Sequence, residues 1–298
     1  MQRGARCSNA RPSGMASFRQ CSVAATHLTL KLGSGFPSLP DPAMNTRLLL
    51  TPFLFLTAAT FAADLPPIPK DSIAKKKELL FSDDFKGATP DPRWKRTVDT
   101  FAVENGSLKG TQTRDKEIPA ADGKPAVPPH AAVFGLEVPT KDSVVEVKIR
   151  FEGNTVMDVE YDDREANGDR AHSHYGHLCR AQVKLAQQQV TILDERDGTQ
   201  SNALIELKKD PAANKDAINK LISTHSVNFP AKVEAGKWYT MVVEVVGEAM
   251  RVTLDGQPVA YFKSPGIGHP TKTRLEFGVS GKSGLFGDLK VWNAEPAK

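Results

Sequence analysis

Residues 238–246 read WYTMVVEVV, residues 248–254 read EAMRVTL, and Asp255-Gly256 then turns the chain into 258–262, PVAYF. Short β-branched and aromatic runs joined by an Asp-Gly pair have the chemistry of antiparallel strands. The pattern continues in both directions. Residues 273–279 and 285–292 follow as two further strands. Upstream, 130–138, 143–151 and 156–161 read as strands, with clean alternation over VEVKIRF. Residues 177–185 and 189–194 form a hairpin pair, and Asn105-Gly106 turns 101–104 into 107–109. The fold starts at LLFSDDF, 79–85, and the proline-rich stretch 114–129 is a loop. Many short strands with tight turns predict an all-β sandwich or barrel. One stretch breaks the pattern. Residues 211–224, PAANKDAINKLIST, carry helical spacing, with Asp210 as the expected cap and Pro211 at the first helical position. It reads as a helical insertion in a β protein.

The chain has 298 residues, a formal net charge of +4 and three cysteines. Residues 44–62, MNTRLLLTPFLFLTAATFA, have the charged start, short apolar centre and small-residue end of a Sec-type signal peptide, which predicts a secreted or periplasmic protein. Residues 1–43 then read as a mis-started or disordered extension. Residues 63–78 read as a Pro- and Lys-rich linker, and 79–294 as one β-sandwich domain. After cleavage only Cys179 remains, so no internal disulfide is expected. No basic stripe with interleaved aromatics points to nucleic acid. The apolar run is short for a span of about 20 residues, so no stable membrane anchor is expected.

Gly236-Lys237-Trp238, VEVVGEAMRVTLDGQPVAYFKS and the closing LEFGVSGKSGLFGDLKVWNA resemble the concanavalin A-like, or laminin G-like, jelly roll. In detail, with LFSDDF and WKRTVDTFAVENGSLKG, they resemble the 3-keto-disaccharide hydrolase domain family, which is glycoside hydrolase family 16-like and found in secreted planctomycete-type bacterial proteins. The resemblance implies a two-sheet sandwich with a carbohydrate ligand on its concave face, acting as a hydrolase on a glycoside or 3-keto-glycoside. The alternative is a non-catalytic sugar-binding or adhesion module of the same fold, or a structural protein.

The densest chemistry lies in 157–180, MDVEYDDREANGDRAHSHYGHLCR. Asp158, Glu160 and Asp162 alternate with Val159 and Tyr161, so one strand face would carry all three carboxylates. Carboxyls about 5–5.5 Å apart support retaining glycoside hydrolysis, and Glu160 with Asp158 or Asp162 can supply the acid and the nucleophile or base. Laminarinase-type family 16 enzymes carry Glu-x-Asp-x-(x)-Glu on such a strand. The string here has swapped residue types, so those roles do not carry over. A sugar-binding row and a solvated sheet face are the competing readings. His177 is a general acid/base candidate beside the row. His172 and His174 are candidate ligands for a divalent metal, although their spacing matches no standard zinc motif. Asp162, Asp163, Asn167-Gly168 and Asp169 make an oxygen-rich loop of the kind calcium uses. Tyr161, Tyr175, His130 and Arg180 are the candidate ligand-binding residues. Trp238 and Trp292 read as core, and Cys179 as a small buried hydrophobe.

Overall fold

The structure, a computed structural model, describes residues 65–297 apart from 88, 97, 99 and 166–172. The expected extension 1–43 and signal segment 44–62 lie outside the described residues, as do His172, Asn167, Gly168 and Asp169. The strands are β1 (Ala74–Asp83), β2 (Trp94–Arg96), β3 (Phe101–Glu104), β4 (Ser107–Thr111), β5 (Ala132–Leu136), β6 (Ser143–Asp162), β7 (His177–Lys184), β8 (Gln189–Asp194), β9 (Ser226–Pro230), β10 (Trp238–Val246), β11 (Ala249–Leu254), β12 (Gln257–Lys263) and β13 (Arg274–Pro296). Two helices, α1 (Asn202–Lys209) and α2 (Lys215–Thr224), sit between β8 and β9.

Two long strands organise the rest. The first part of β6 pairs antiparallel with β10, which leads on to β11 and β12. The second part of β6 pairs with β7, which leads on to β8 and β9. β13 runs antiparallel along β6 and carries β1, β4 and β5 on its other edge. The sheet thereby wraps round one core, as expected for an all-β jelly-roll sandwich with a short helical insertion. Val145, Val147, Ile149, Phe151, Met157, Val159 and Tyr161 all point from β6 into that core. Trp94 stacks on Phe134 at 4.9 Å and meets Phe277 edge-on at 5.3 Å, extending the apolar centre. Tyr161 satisfies its hydroxyl by accepting from Ser143 Oγ at 3.2 Å.

The bend that makes one strand serve two layers was not expected. Residues 143–151 and 156–161 belong to a single strand, as do 273–279 and 285–292. The pairing slips near Gly153 and Gly281, and pairing resumes beyond the bulge. Gly281 has φ +99, and a Cβ there would lie 2.8 Å from Thr155 N, so only glycine fits.

The expected linker is also partly strand. Ala74, Lys75 and Lys76 pair with Pro296, Glu295 and Ala294, and Glu295 binds both Lys75 and Lys77 at 3.1 Å. Just upstream, the Arg251 guanidinium donates to Pro69 O and Lys70 O, which holds that segment on the sheet. In the insertion, Asn214 rather than Asp210 caps α2, accepting from Asp216 N and Ala217 N, while Asp210 caps a turn at Ala212 N. Ser201 caps α1. Among the described residues no helix is long and apolar enough to cross a membrane.

Candidate functional site

Strand parity puts Val159 and Tyr161 in the core and Asp158, Glu160 and Asp162 on the opposite side of β6. Register then fixes their neighbours. Glu160 lies between Glu276 of β13 and Arg180 of β7. Asp158 lies between Gly278 and Gln182, and Asp162 between Arg274 and His177. A Cβ at position 278 would sit 2.2 Å from Asp158 Oδ1, so glycine there makes room for the carboxyl.

Two local devices aim the flanking groups. Gly176 takes φ +78, and its carbonyl accepts from Asp163 N at 2.9 Å, which starts β7 with His177 facing the acids. Ser173 Oγ donates to His177 O. On the far side, the fully buried Asp194 accepts from Asp197 N and Gly266 N at 3.0 Å each, and from Ser264 Oγ. That clamp fixes the turn carrying Glu195.

The acids are nearly closed off: Asp158 is 5% exposed, Glu160 3% and Asp162 0%. Cations line them instead of water. Arg180 Nη2 lies 2.7 Å from Glu160 Oε2 and 3.1 Å from Glu195 Oε2, and Arg180 Nη1 lies 3.8 Å from Asp158 Oδ2. His177 Nδ1 lies 2.5 Å from Glu160 Oε1 and 3.0 Å from Asp162 Oδ1. Arg164 Nη2 reaches Asp162 at 2.8 Å and Glu276 at 2.6 Å, and Arg274 reaches Glu276 at 3.2 Å.

Burial and pairing divide the row. Burial pushes Asp158 up to about 6 against the pull of Arg180. Burial and the charge of Glu160 push Asp162 up to about 7. Glu160 is equally buried, yet Arg180 and His177 outweigh that penalty and hold it well below the usual carboxylate range. Burial and the Glu160 charge raise Glu195 well above it. His177 overcomes its own burial through Asp162 and Glu160 and rises to about 11, so it is an imidazolium at neutral pH.

The other expected site residues fall in different places. Tyr161 is 0% exposed and is corrected from ligand platform to core residue. Tyr175 is 68% exposed, at φ +53, with its ring 3.9 Å from that of His174 and 6.4 Å from that of His177. His130 is exposed and turns Nδ1 to Ala131 O at 2.7 Å; its backbone bridges to Arg114 at the base of the proline-rich loop rather than to the carboxylates. His174 is exposed on the same short turn as Tyr175, with burial and His177 lowering its pKa. Asp163, expected in a calcium loop, instead accepts from Thr271 Oγ1 at 2.7 Å and His269 Nε2 at 3.1 Å. Cys179 is buried in the core, where burial pushes its thiol far up. Trp238 and Trp292 turn outward and are only partly covered, whereas Trp94 occupies the core.

Sequence reasoning missed Glu276, Glu195, Arg164 and Arg274. Glu276 had a local signal, an acid alternating with Leu275 and Phe277 in an otherwise apolar run. Among the described residues Glu160, His177 and Glu276 place ligand-type atoms within 4.8 Å of one another. The donor set suits a divalent ion. However, those oxygens already face Arg180, His177, Arg164 and Arg274, so a cation would have to displace them.

No family model and no curated protein matches the chain. Among solved structures it is similar to a protein of unknown function with a galectin-like fold from Bacillus subtilis, at 12% identity and TM-score 0.51, covering 75% of this chain and all of that one. It is also similar to the laminarinase from Rhodothermus marinus, at 14% identity and TM-score 0.48, covering 75% and 99%. A third is the carbohydrate-binding module CBM66 from Bacillus subtilis, at 12% identity and TM-score 0.36, covering 69% and 96%. At these identities the likeness is one of fold.

Proposed function

We propose that this is an exported carbohydrate-active protein that hydrolyses glycosidic bonds on the acid row of β6. A 3-keto-glycoside is the substrate class that the family resemblance implies. One observation carries the reading: Glu160, paired with Arg180 and His177, stands between Asp158 and Asp162 on one side of β6, and burial raises the pKa of both neighbours, to about 6 and 7, while the cations lower that of Glu160. Pairs of carboxyls driven apart in pKa supply the acid and the base of glycoside hydrolysis. The bound sugar must first displace Arg180 and His177 from Glu160. Asp158 or Asp162 then gives its proton to the leaving oxygen, and Glu160 acts as nucleophile or activates water. The proton released by that water restores the acid. Arg180 and His177 keep Glu160 ionised between turnovers.

The test is turnover by the purified secreted chain on a panel of glycosides and 3-keto-glycosides, with and without EDTA. Its intact mass should begin at Ala63. Sugar release is expected, and Glu160→Gln should lower kcat by about 10²–10⁴-fold. A panel with no sugar release ends the hydrolase reading. A mass that still includes residues 44–62 ends the export reading.

One observation favours a second reading, a sugar-binding module without turnover. The carboxylates are buried, while Arg164, Arg180 and His177 keep part of their side chains open, at 30%, 19% and 15%, beside the exposed Tyr175 ring. Binding of a panel sugar without its release would establish this reading.

A further inference from the structure

We infer that the chain carries a second saccharide site, separate from the acid row, in the pocket beside Trp238. This does not depend on the acid row being catalytic. Along β10, Tyr239, Met241, Val243 and Val245 enter the core, so parity turns Trp238 to the outside. The indole is partly covered: it packs over Gly287, lies beneath the Arg150 guanidinium, and keeps the rest of its surface open. It borders a cavity of about 350 Å³, within the usual range for small-molecule sites.

The cavity has the anatomy of a sugar pocket. Its lining is mostly polar, with two apolar side chains among six polar ones: Leu285, which lies in register with Lys109 and Arg150, and Trp238, which lies in register with Arg150. Trp238 ring atoms come within 3.6 Å of where a Cβ would stand on Gly287, an ordinary contact distance, so the indole lies across β6 towards β13. One wall is the β3–β4 turn, made rigid by left-handed Asn105 and Gly106, at φ 51 and 71. The rim is charged but self-neutralised. Lys109 Nζ donates to Glu104 at 3.0 Å, Arg150 donates to Glu152, and the Arg150 guanidinium lies 5.1 Å from the Trp238 ring centroid. Two acids and two bases leave no net charge to select an ionic ligand. Paired charges with Asn105 and Ser107 beside one indole suit a neutral ligand rich in hydroxyls that also has a C–H surface, which is a pyranose. The pocket lies on the part of β6 that pairs with β10, whereas the acid row lies on the part that pairs with β7. The two sites can therefore be tested apart.

The experiment is affinity electrophoresis of the intact secreted protein in native gels holding laminarin or soluble starch, with polygalacturonate as the anionic control. At least one neutral glucan should retard the protein and polygalacturonate should not. Trp238→Ala should weaken retardation at least tenfold, and Glu206→Gln, exposed on α1, should leave it unchanged. Glu152→Gln, on the rim and away from the core, should weaken it severalfold and still reports if Trp238→Ala fails to fold. No retardation by either neutral glucan overturns the site, as does retardation that survives both pocket variants. Loss on Glu160→Gln alone would place binding at the acid row and also overturn it.

Discussion

β6 carries charge on two stretches of its outer side, and the two behave oppositely. Near its start, Glu146 pairs with Lys76 at 2.9 Å and Lys148 with Asp288 at 2.5 Å, with all four side chains substantially open to solvent. Near its end, Asp158, Glu160 and Asp162 are almost sealed under Arg180, His177 and Arg164. Strand geometry is shared; the first stretch mixes signs in the open and the second sets three acids away from water. Exposed pairs trade one good solvation for another and contribute about 0–1 kcal/mol. Buried charges have lost their water, so each is held by its partner or shifts its pKa.

The largest expected consequence is a contrast between two cation deletions. Arg180→Met removes the group shared by Glu160, Glu195 and Asp158. Left with uncompensated buried acids, the protein should lose about 3–5 kcal/mol of stability. Lys148→Met, on the exposed stretch, should change it by about 0.5 kcal/mol or less. Urea denaturation of both variants measures the difference, and equal effects would collapse the distinction between the two stretches.

A smaller effect should appear in the pH dependence. Asp158 and Asp162 have raised pKa values in the folded protein, so between about pH 4 and 7 the folded state holds protons that the unfolded state releases. Stability therefore falls as pH rises through that window. His177 adds a contribution that is complete below its unfolded value of 6.5 and lost as pH rises towards about 11. Glu160, with its lowered pKa, opposes this only on the acid side, where its contribution is lost as pH falls below 4.5. Thermal melts should show the highest Tm in mildly acidic buffer. Asp162→Asn should flatten the fall between pH 4 and 7, and an unchanged slope would mean that Asp162 is ionised throughout.

Much of this was legible in the sequence because it is local. Alternation in 143–162 and 238–263 marked the strands, and period two put three acids on one side of β6. The same parity, applied consistently, placed Tyr161 opposite the acids and therefore inside. A sugar platform at Tyr161 is incompatible with that parity. Trp238 is the converse: its neighbour Tyr239 belongs to the core, so the tryptophan faces out. What was not legible is non-local. Glu276 meets Glu160 only through the β6–β13 register, and Glu195 only through a turn that Asp194 clamps from the next loop. The continuity of β6 and β13 depends on bulges, which alternation reads as strand ends.

Tyr175 offers the finest test, because at this position stability and binding should part company. It is a large aromatic, 68% exposed, in left-handed backbone at φ +53, a conformation that costs a residue with a Cβ about 1–2 kcal/mol. Its neighbours explain the turn: Gly176 follows at φ +78 and starts β7 at His177. They do not explain a tyrosine, since glycine would serve the turn with less strain. Tyr175→Gly removes that strain but adds freedom to the unfolded chain, and the two largely offset. Stability should stay within about 0.5 kcal/mol. If the ring is a ligand platform beside His177, affinity for any sugar the acid row binds should fall about tenfold, the loss of one well-placed aromatic contact. Calorimetric titration alongside a denaturation curve reads both quantities. Unchanged affinity would make Tyr175 a bystander on a strained turn and leave Arg164, Arg180 and His177 as the partly open side of the site.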